Sequence, residues 1–175
     1  MLISACSRTM TAAILMLLAG FAALDSQTPP PKSCTGPEYR QFDFWVGRWE
    51  VTDKDGKKAG TNDIQRVHGG CALAENWTSA EGTTGSSLNM YVAATKVWHQ
   101  TWADSGGTLL VMEGGLRDGA MHMSGAAYSP RGGKLLSRIT WTPNADGSVR
   151  QFWEASRDEG KTWMVVFDGT YVRMK

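Results

Sequence analysis

The sequence predicts an all-β domain: a single antiparallel up-and-down β-barrel of eight to ten strands, with little helix. Three observations carry this. No stretch of the chain keeps apolar residues at helical spacing for three turns. Short runs rich in Val, Thr and aromatic residues alternate instead with turns, most of which carry Gly with Asp or Asn. Those turns are too short for anything but hairpins between sequential strands. A meander of that length must close on itself or leave unpaired edges. An antiparallel sandwich is the alternative arrangement.

In chain order, residues 1–24 read as a secretory signal peptide. Arg8 is the only charge before Asp25, and an apolar run from Met10 to Leu24 follows it. That run is short of the ~20 residues that span a bilayer, so cleavage and no membrane attachment afterwards are expected. Residues 25–39 hold four of the six prolines and form a flexible leader. The barrel domain occupies 40–175. "PEYRQFDF" suits one short helical turn. Strands are predicted near 44–53, 60–67, 71–78, 86–92, 95–103, 107–113, 119–128, 134–142, 148–156 and 161–173. The intervening turns include "DKDGKK", "AEGTTG", "DSGG", "GGLRDG", "SPRGG", "NADG" and "RDEG".

Without Arg8 the chain carries seventeen basic and seventeen acidic residues. No basic stripe favours nucleic acid or an anionic membrane. Cys6 leaves with the signal peptide, and Cys34 and Cys71 remain as an even pair. In the oxidising space outside the cytoplasm, periplasmic or secreted, a disulfide between them is expected. It would tie the N-terminal segment to a strand and stabilise by roughly 4 kcal/mol at most.

Alternation along the strands sorts residues onto faces. Trp45, Gly47, Trp49 and Val51 share one face; Leu73, Glu75 and Trp77 share another with Cys71. Ser87, Asn89 and Tyr91 oppose Leu88, Met90 and Val92. Trp98, Gln100, Trp102 and Asp104 oppose His99 and Thr101. Val149, Gln151, Trp153 and Ala155 oppose Arg150, Phe152 and Glu154. A filled core rarely mixes Glu, Asn and Gln with tryptophans, because buried polar groups are costly unless paired. A ligand pocket needs that mixture. The candidate wall is Trp77, Trp98, Trp102, Trp141 and Trp153; the candidate polar contacts are Glu75, Asn89, Tyr91, Gln100 and Gln151. The expected partner is one small, partly apolar or aromatic molecule. The other arrangement turns these faces to solvent.

"GRW" (Gly47, Arg48, Trp49) resembles the Gly-x-Trp signature that opens lipocalin and other calycin barrels. The resemblance implies that Trp49 closes one end beneath an Arg from the last strand, with Arg173 the first choice and Arg138 the second. Taken together, "FDFWVGRWEV", "GCALAENW", "GSSLNMYVAATKVWHQTWADSGG", "GGLRDGAM", "ITWTPNADGSVRQFWEASRDEGKTW" and "DGTYVR" resemble a bacterial family of exported proteins, domain-of-unknown-function family 1579. The resemblance covers roughly residues 40–173 and implies a lipocalin-like barrel and export, but no activity.

"SRDEGKTW", residues Ser156 to Trp163, resembles the Asp-box of sialidases. One copy in a chain this short cannot build a propeller, whose blades take about 40–50 residues each. The box reads instead as the clasp of the last hairpin, away from any active site. Asp158 caps turn N–H groups and Gly160 supplies a positive φ. Other chemistries find little support. His-x-His, His-Glu-x-x-His, Cys-x-x-Cys and Gly-x-Ser-x-Gly are all absent, so no metal and no catalytic residue are expected. Haem through His68, His99 or His122 is a minor alternative. A carboxylate pair joining Glu75 to Asp104 or Glu154, for glycoside chemistry, is another.

Overall fold

The computed structural model describes residues 34–130 and 132–175; the predicted signal peptide and most of the leader lie outside them. Ten strands follow one another: β1 (Gly47–Asp53), β2 (Lys58–Val67), β3 (Ala72–Ser79), β4 (Thr84–Val92) and β5 (Val97–Asp104). They continue with β6 (Leu109–Arg117), β7 (Ala120–Tyr128), β8 (Lys134–Pro143), β9 (Val149–Ser156) and β10 (Met164–Arg173). Each pairs antiparallel with its sequence neighbours, and β1 pairs with β10, with Trp49 opposite Arg173. The barrel is closed and has no free edge.

Three strand boundaries differ from expectation by three residues or more. "GGLRDG" is not a turn. β6 runs through Gly114 to Arg117, and the reversal is only Asp118 and Gly119, both at positive φ. Gly114 is present for closeness rather than for turning: a Cβ there would lie 1.9 Å from the His122 carbonyl oxygen on β7. Trp45 belongs to no strand but to a 3-10 turn, Asp43–Trp45, which follows another over Pro37–Arg40. At the other end of the chain, Lys161 to Trp163 lie in the turn before β10.

The two 3-10 turns carry the N-terminal segment into one mouth of the barrel. Phe42 and Trp45 are fully buried there. Their rings stack at 4.8 Å, and Phe42 meets Trp98 at 5.7 Å and Trp141 at 5.3 Å. A disulfide between Cys34 and Cys71, the residue before β3, fastens this plug to the wall. Beside it, the Arg173 guanidinium sits 4.3 Å from the centre of the Trp49 ring and donates to the Val46 carbonyl at 3.0 Å. Gly47 is bare on two counts: its φ of 145° disfavours any side chain, and a Cβ would lie 2.4 Å from Arg173 Nη1. Arg138 instead lies on the outer face, over the Trp163 ring and bonded to Glu154.

Burial also decides which way the strands face. In β4, Asn89 is 0% and Ser87 5% exposed, whereas Leu88 is 42% and Met90 37% exposed. The polar face is inside. The barrel therefore has an apolar, plugged end and an inward lining that becomes polar toward its middle.

Candidate functional site

Beyond the plug the interior is hollow. A cavity of about 260 Å³ opens toward the end that carries the β1–β2, β3–β4, β5–β6, β7–β8 and β9–β10 turns. Four indoles line it: Trp77, Trp102, Trp141 and Trp153. Two of them lie against glycines of the preceding strand. A Cβ on Gly60 would come within 2.7 Å of the Trp77 ring, and one on Gly85 within 2.2 Å of the Trp102 ring. The bare backbone lets these rings lie over the barrel wall rather than across the lumen. Leu110, Ile139, Phe167 and Val166 add apolar wall. Val166 is the extra residue of a bulge, where β10 shifts register between Val165 and Phe167 against β9.

The polar groups form one connected chain. Gln100 Nε2 donates to Asn89 Oδ1 at 2.7 Å, and Asn89 Nδ2 donates to Ser87 Oγ at 2.7 Å. The Ser87 hydroxyl donates to Glu75 Oε2 at 2.5 Å. From the other side, Asn62 Nδ2 donates to Glu75 Oε1 at 2.7 Å and reaches the Tyr171 hydroxyl at 3.4 Å. Tyr171 donates in turn to Gln151 Oε1. Both arms end at the Glu75 carboxylate, which is itself buried. Loss of water pushes its pKa up to about 6, against the lowering effect of the Ser87 and Asn62 hydrogen bonds. Burial, reinforced by the Glu75 charge, pushes the Tyr171 phenol further above its ordinary range. Among the described residues, no Lys, Arg or His lines the cavity. Glu75 is held only by neutral donors.

Three buried polar atoms here have no hydrogen-bond partner among the described residues: Trp141 Nε1, Trp153 Nε1 and Asn62 Oδ1. Such groups are rare in native interiors and call for an explanation.

Of the ten residues proposed from sequence, seven line the cavity: Glu75, Trp77, Gln100, Trp102, Trp141, Gln151 and Trp153. Asn89 lies behind Gln100 and holds its amide. Trp98 and Tyr91 lie elsewhere. Trp98 donates to Gln41 Oε1 at 3.1 Å and packs on Phe42, and Tyr91 meets Tyr39 edge-on at 5.3 Å. The plug, which the sequence did not reveal, takes both. Asn62, Leu110, Ile139, Val166, Phe167 and Tyr171 were missed. Alternation would have placed Asn62 with Gly60 and Ile64, and Tyr171 with Gly169.

The carboxylate pairs weighed from sequence do not form. Glu154 faces outward to Arg138, and Asp104 caps the β5–β6 turn through the Gly106 and Thr108 N–H groups. The histidines lie away from the lumen. His99 bonds to Thr101 and sits beside Glu113; His122 bonds to Thr140.

"SRDEGKTW" is the clasp of the β9–β10 hairpin. Asp158 accepts from the Thr162 N–H, the Thr162 hydroxyl and the Ser156 hydroxyl, which hold its carboxyl down to about 2. Ser156 Oγ accepts from the Gly160 N–H at 2.8 Å, and Gly160 has φ 88°. The hairpin stands at the open end of the barrel, nearer the cavity than its reading as a remote clasp implied. None of its residues lines the cavity.

A scan of protein-family models and a search of curated proteins both find no match to this chain.

Proposed function

We propose that this is an exported binding protein of the calycin type, which holds one small, partly apolar molecule in its lumen. One observation carries the reading: an open cavity with four indole walls around a buried, hydrogen-bonded carboxylate. Apolar walls with a few oriented polar groups are the general form of a small-molecule site. A packed barrel would gain more from filling the space with aliphatic side chains than from Gln100, Glu75 and Gln151. The unpaired indole N–H groups of Trp141 and Trp153 favour a ligand that also carries an acceptor atom. Export is supported by the charge and apolar pattern of residues 1–24 and by the Cys34–Cys71 bond. The calycin assignment rests on Gly47, Trp49 and Arg173 in a closed ten-stranded barrel.

The test is titration with N-phenyl-1-naphthylamine, a neutral apolar dye that brightens on leaving water. Saturable binding of one dye per chain is expected. Trp153→Ala should weaken it about tenfold or more, the loss of one aromatic wall being worth over 1.4 kcal/mol. Trp163→Ala, on the outer face, should leave it unchanged. No saturable binding, or equal binding by all three proteins, would point instead to a barrel that acts through its outer surface.

A further inference from the structure

We infer that the lumen selects a small organic cation, a protonated amine on an apolar body, whose charge lies between Glu75 and the indoles of Trp77, Trp102 and Trp153. The inference rests on the binding reading above and adds the chemical class of the ligand. Four features of the cavity converge on it.

First, Glu75 is the one carboxylate among the lining residues, and no basic side chain accompanies it. The groups that face it from the neighbouring strands are Asn62 on β2, Ser87 on β4 and Tyr171 on β10. Only Tyr171 among these titrates, and it stays neutral. The negative charge therefore has no counter-charge among the described residues that line the cavity, and an ionised group that is buried without one is costly.

Second, its acceptor capacity is half used. Each carboxylate oxygen takes one hydrogen bond from a neutral donor, and a carboxylate offers about four lone-pair sites. Asn62 Oδ1, on the same residue that braces Glu75, is a further acceptor with no partner. An ammonium group in the cavity supplies donors to the free Glu75 lone pairs.

Third, the walls suit a cation. Indole is the best side-chain face for cation–π attraction, and the gain rises where water is excluded. Fourth, the charge balance opposes the other classes. An anion would meet Glu75 with no Lys, Arg or His to receive it, and a purely apolar guest would leave the carboxylate uncompensated.

A pH dependence follows. An alkylamine stays charged between pH 5 and pH 8, so only Glu75 titrates in that range among the lining groups. Its pKa of about 6 in the empty cavity means that amine binding must displace a proton at lower pH.

The test is calorimetric titration of the whole protein with three molecules of similar size: 2-phenylethylamine, 2-phenylethanol and 3-phenylpropionate. At pH 7.5 the amine is expected to bind at least about tenfold more tightly than the alcohol, with the acid weakest. The amine should bind about tenfold more weakly at pH 5, while the alcohol stays constant. Glu75→Gln should bring the amine to the level of the alcohol. Alcohol or acid binding as tightly as the amine overturns the cation inference and leaves a small-molecule binder standing. An amine affinity indifferent to pH also overturns it, without need of the variant. Binding by none of the three, with the dye still bound, removes the inference alone; with the dye unbound too, both readings fall.

Discussion

Replacing Trp45 with alanine is expected to remove about 3–5 kcal/mol of folding stability, the range for truncating a large buried aromatic. That is a large share of the 5–15 kcal/mol that holds a typical domain together. Trp45 is 0% exposed and sits in the plug, not in the sheet. Its ring stacks on Phe42 and meets Trp141 at 5.5 Å and Tyr171 at 6.4 Å. Its backbone carbonyl accepts from Trp49 Nε1 at 2.9 Å, which joins the plug to β1. The indole N–H of Trp45 has no partner among the described residues, so truncation there sacrifices packing rather than a side-chain hydrogen bond. The cavity left behind cannot collapse easily, because the Cys34–Cys71 bond and the closed barrel fix its walls. Denaturant unfolding should show a lowered midpoint at an unchanged slope. Trp141 and Tyr171 also line the lumen, so dye binding should weaken in the same variant.

Glu75→Gln should act in the opposite direction at neutral pH. The folded-state pKa of Glu75, about 6, lies above its ordinary value of 4.5. A raised pKa means that the folded chain holds the proton more tightly than the unfolded chain. The contribution to stability is then greatest below pH 4.5 and is lost as pH rises through 6. The difference corresponds to about 2 kcal/mol of destabilisation by the ionised carboxylate at pH 7.5. The amide removes that charge, still accepts from Ser87 and, once the Asn62 amide turns over, donates to Asn62 Oδ1 in place of the present Asn62 Nδ2 bond. The variant is therefore expected to be more stable than the natural protein at pH 7.5, with the margin closing toward pH 4.5. Urea unfolding at the two pH values checks this, and a variant that is less stable at both would refute it.

Much of this was legible in the chain. The ten strands could be read because their turns are marked by Gly, Asp and Asn, whose backbone and hydrogen-bonding habits act locally. The inward face could be read because Glu75, Gln100 and Gln151 alternate in step with tryptophans, which neither a solvent face nor a filled core explains well. The plug could not. Its two 3-10 turns are too short for any periodicity, so nothing local showed that Phe42 and Trp45 enter the barrel and draw Trp98 and Tyr91 away from the lumen. Gly114 misled for a related reason. A glycine that admits a neighbouring strand looks, in sequence, like one that turns the chain. Val166 reaches the cavity through a bulge, and a single inserted residue inverts the alternation on which face assignments depend. The Asp-box is legible as a clasp because Asp158, Gly160 and Thr162 act within one turn. Its position at the open end depends on the closure of the whole barrel.

A crystal structure grown with 2-phenylethylamine decides whether Glu75 organises the lumen as a ligand site. The ammonium is expected about 3 Å from a Glu75 carboxylate oxygen, with the phenyl ring among Trp77, Trp102 and Trp153. A lumen closed by its own side chains, or an amine found only on the outer face of the barrel, would contradict it.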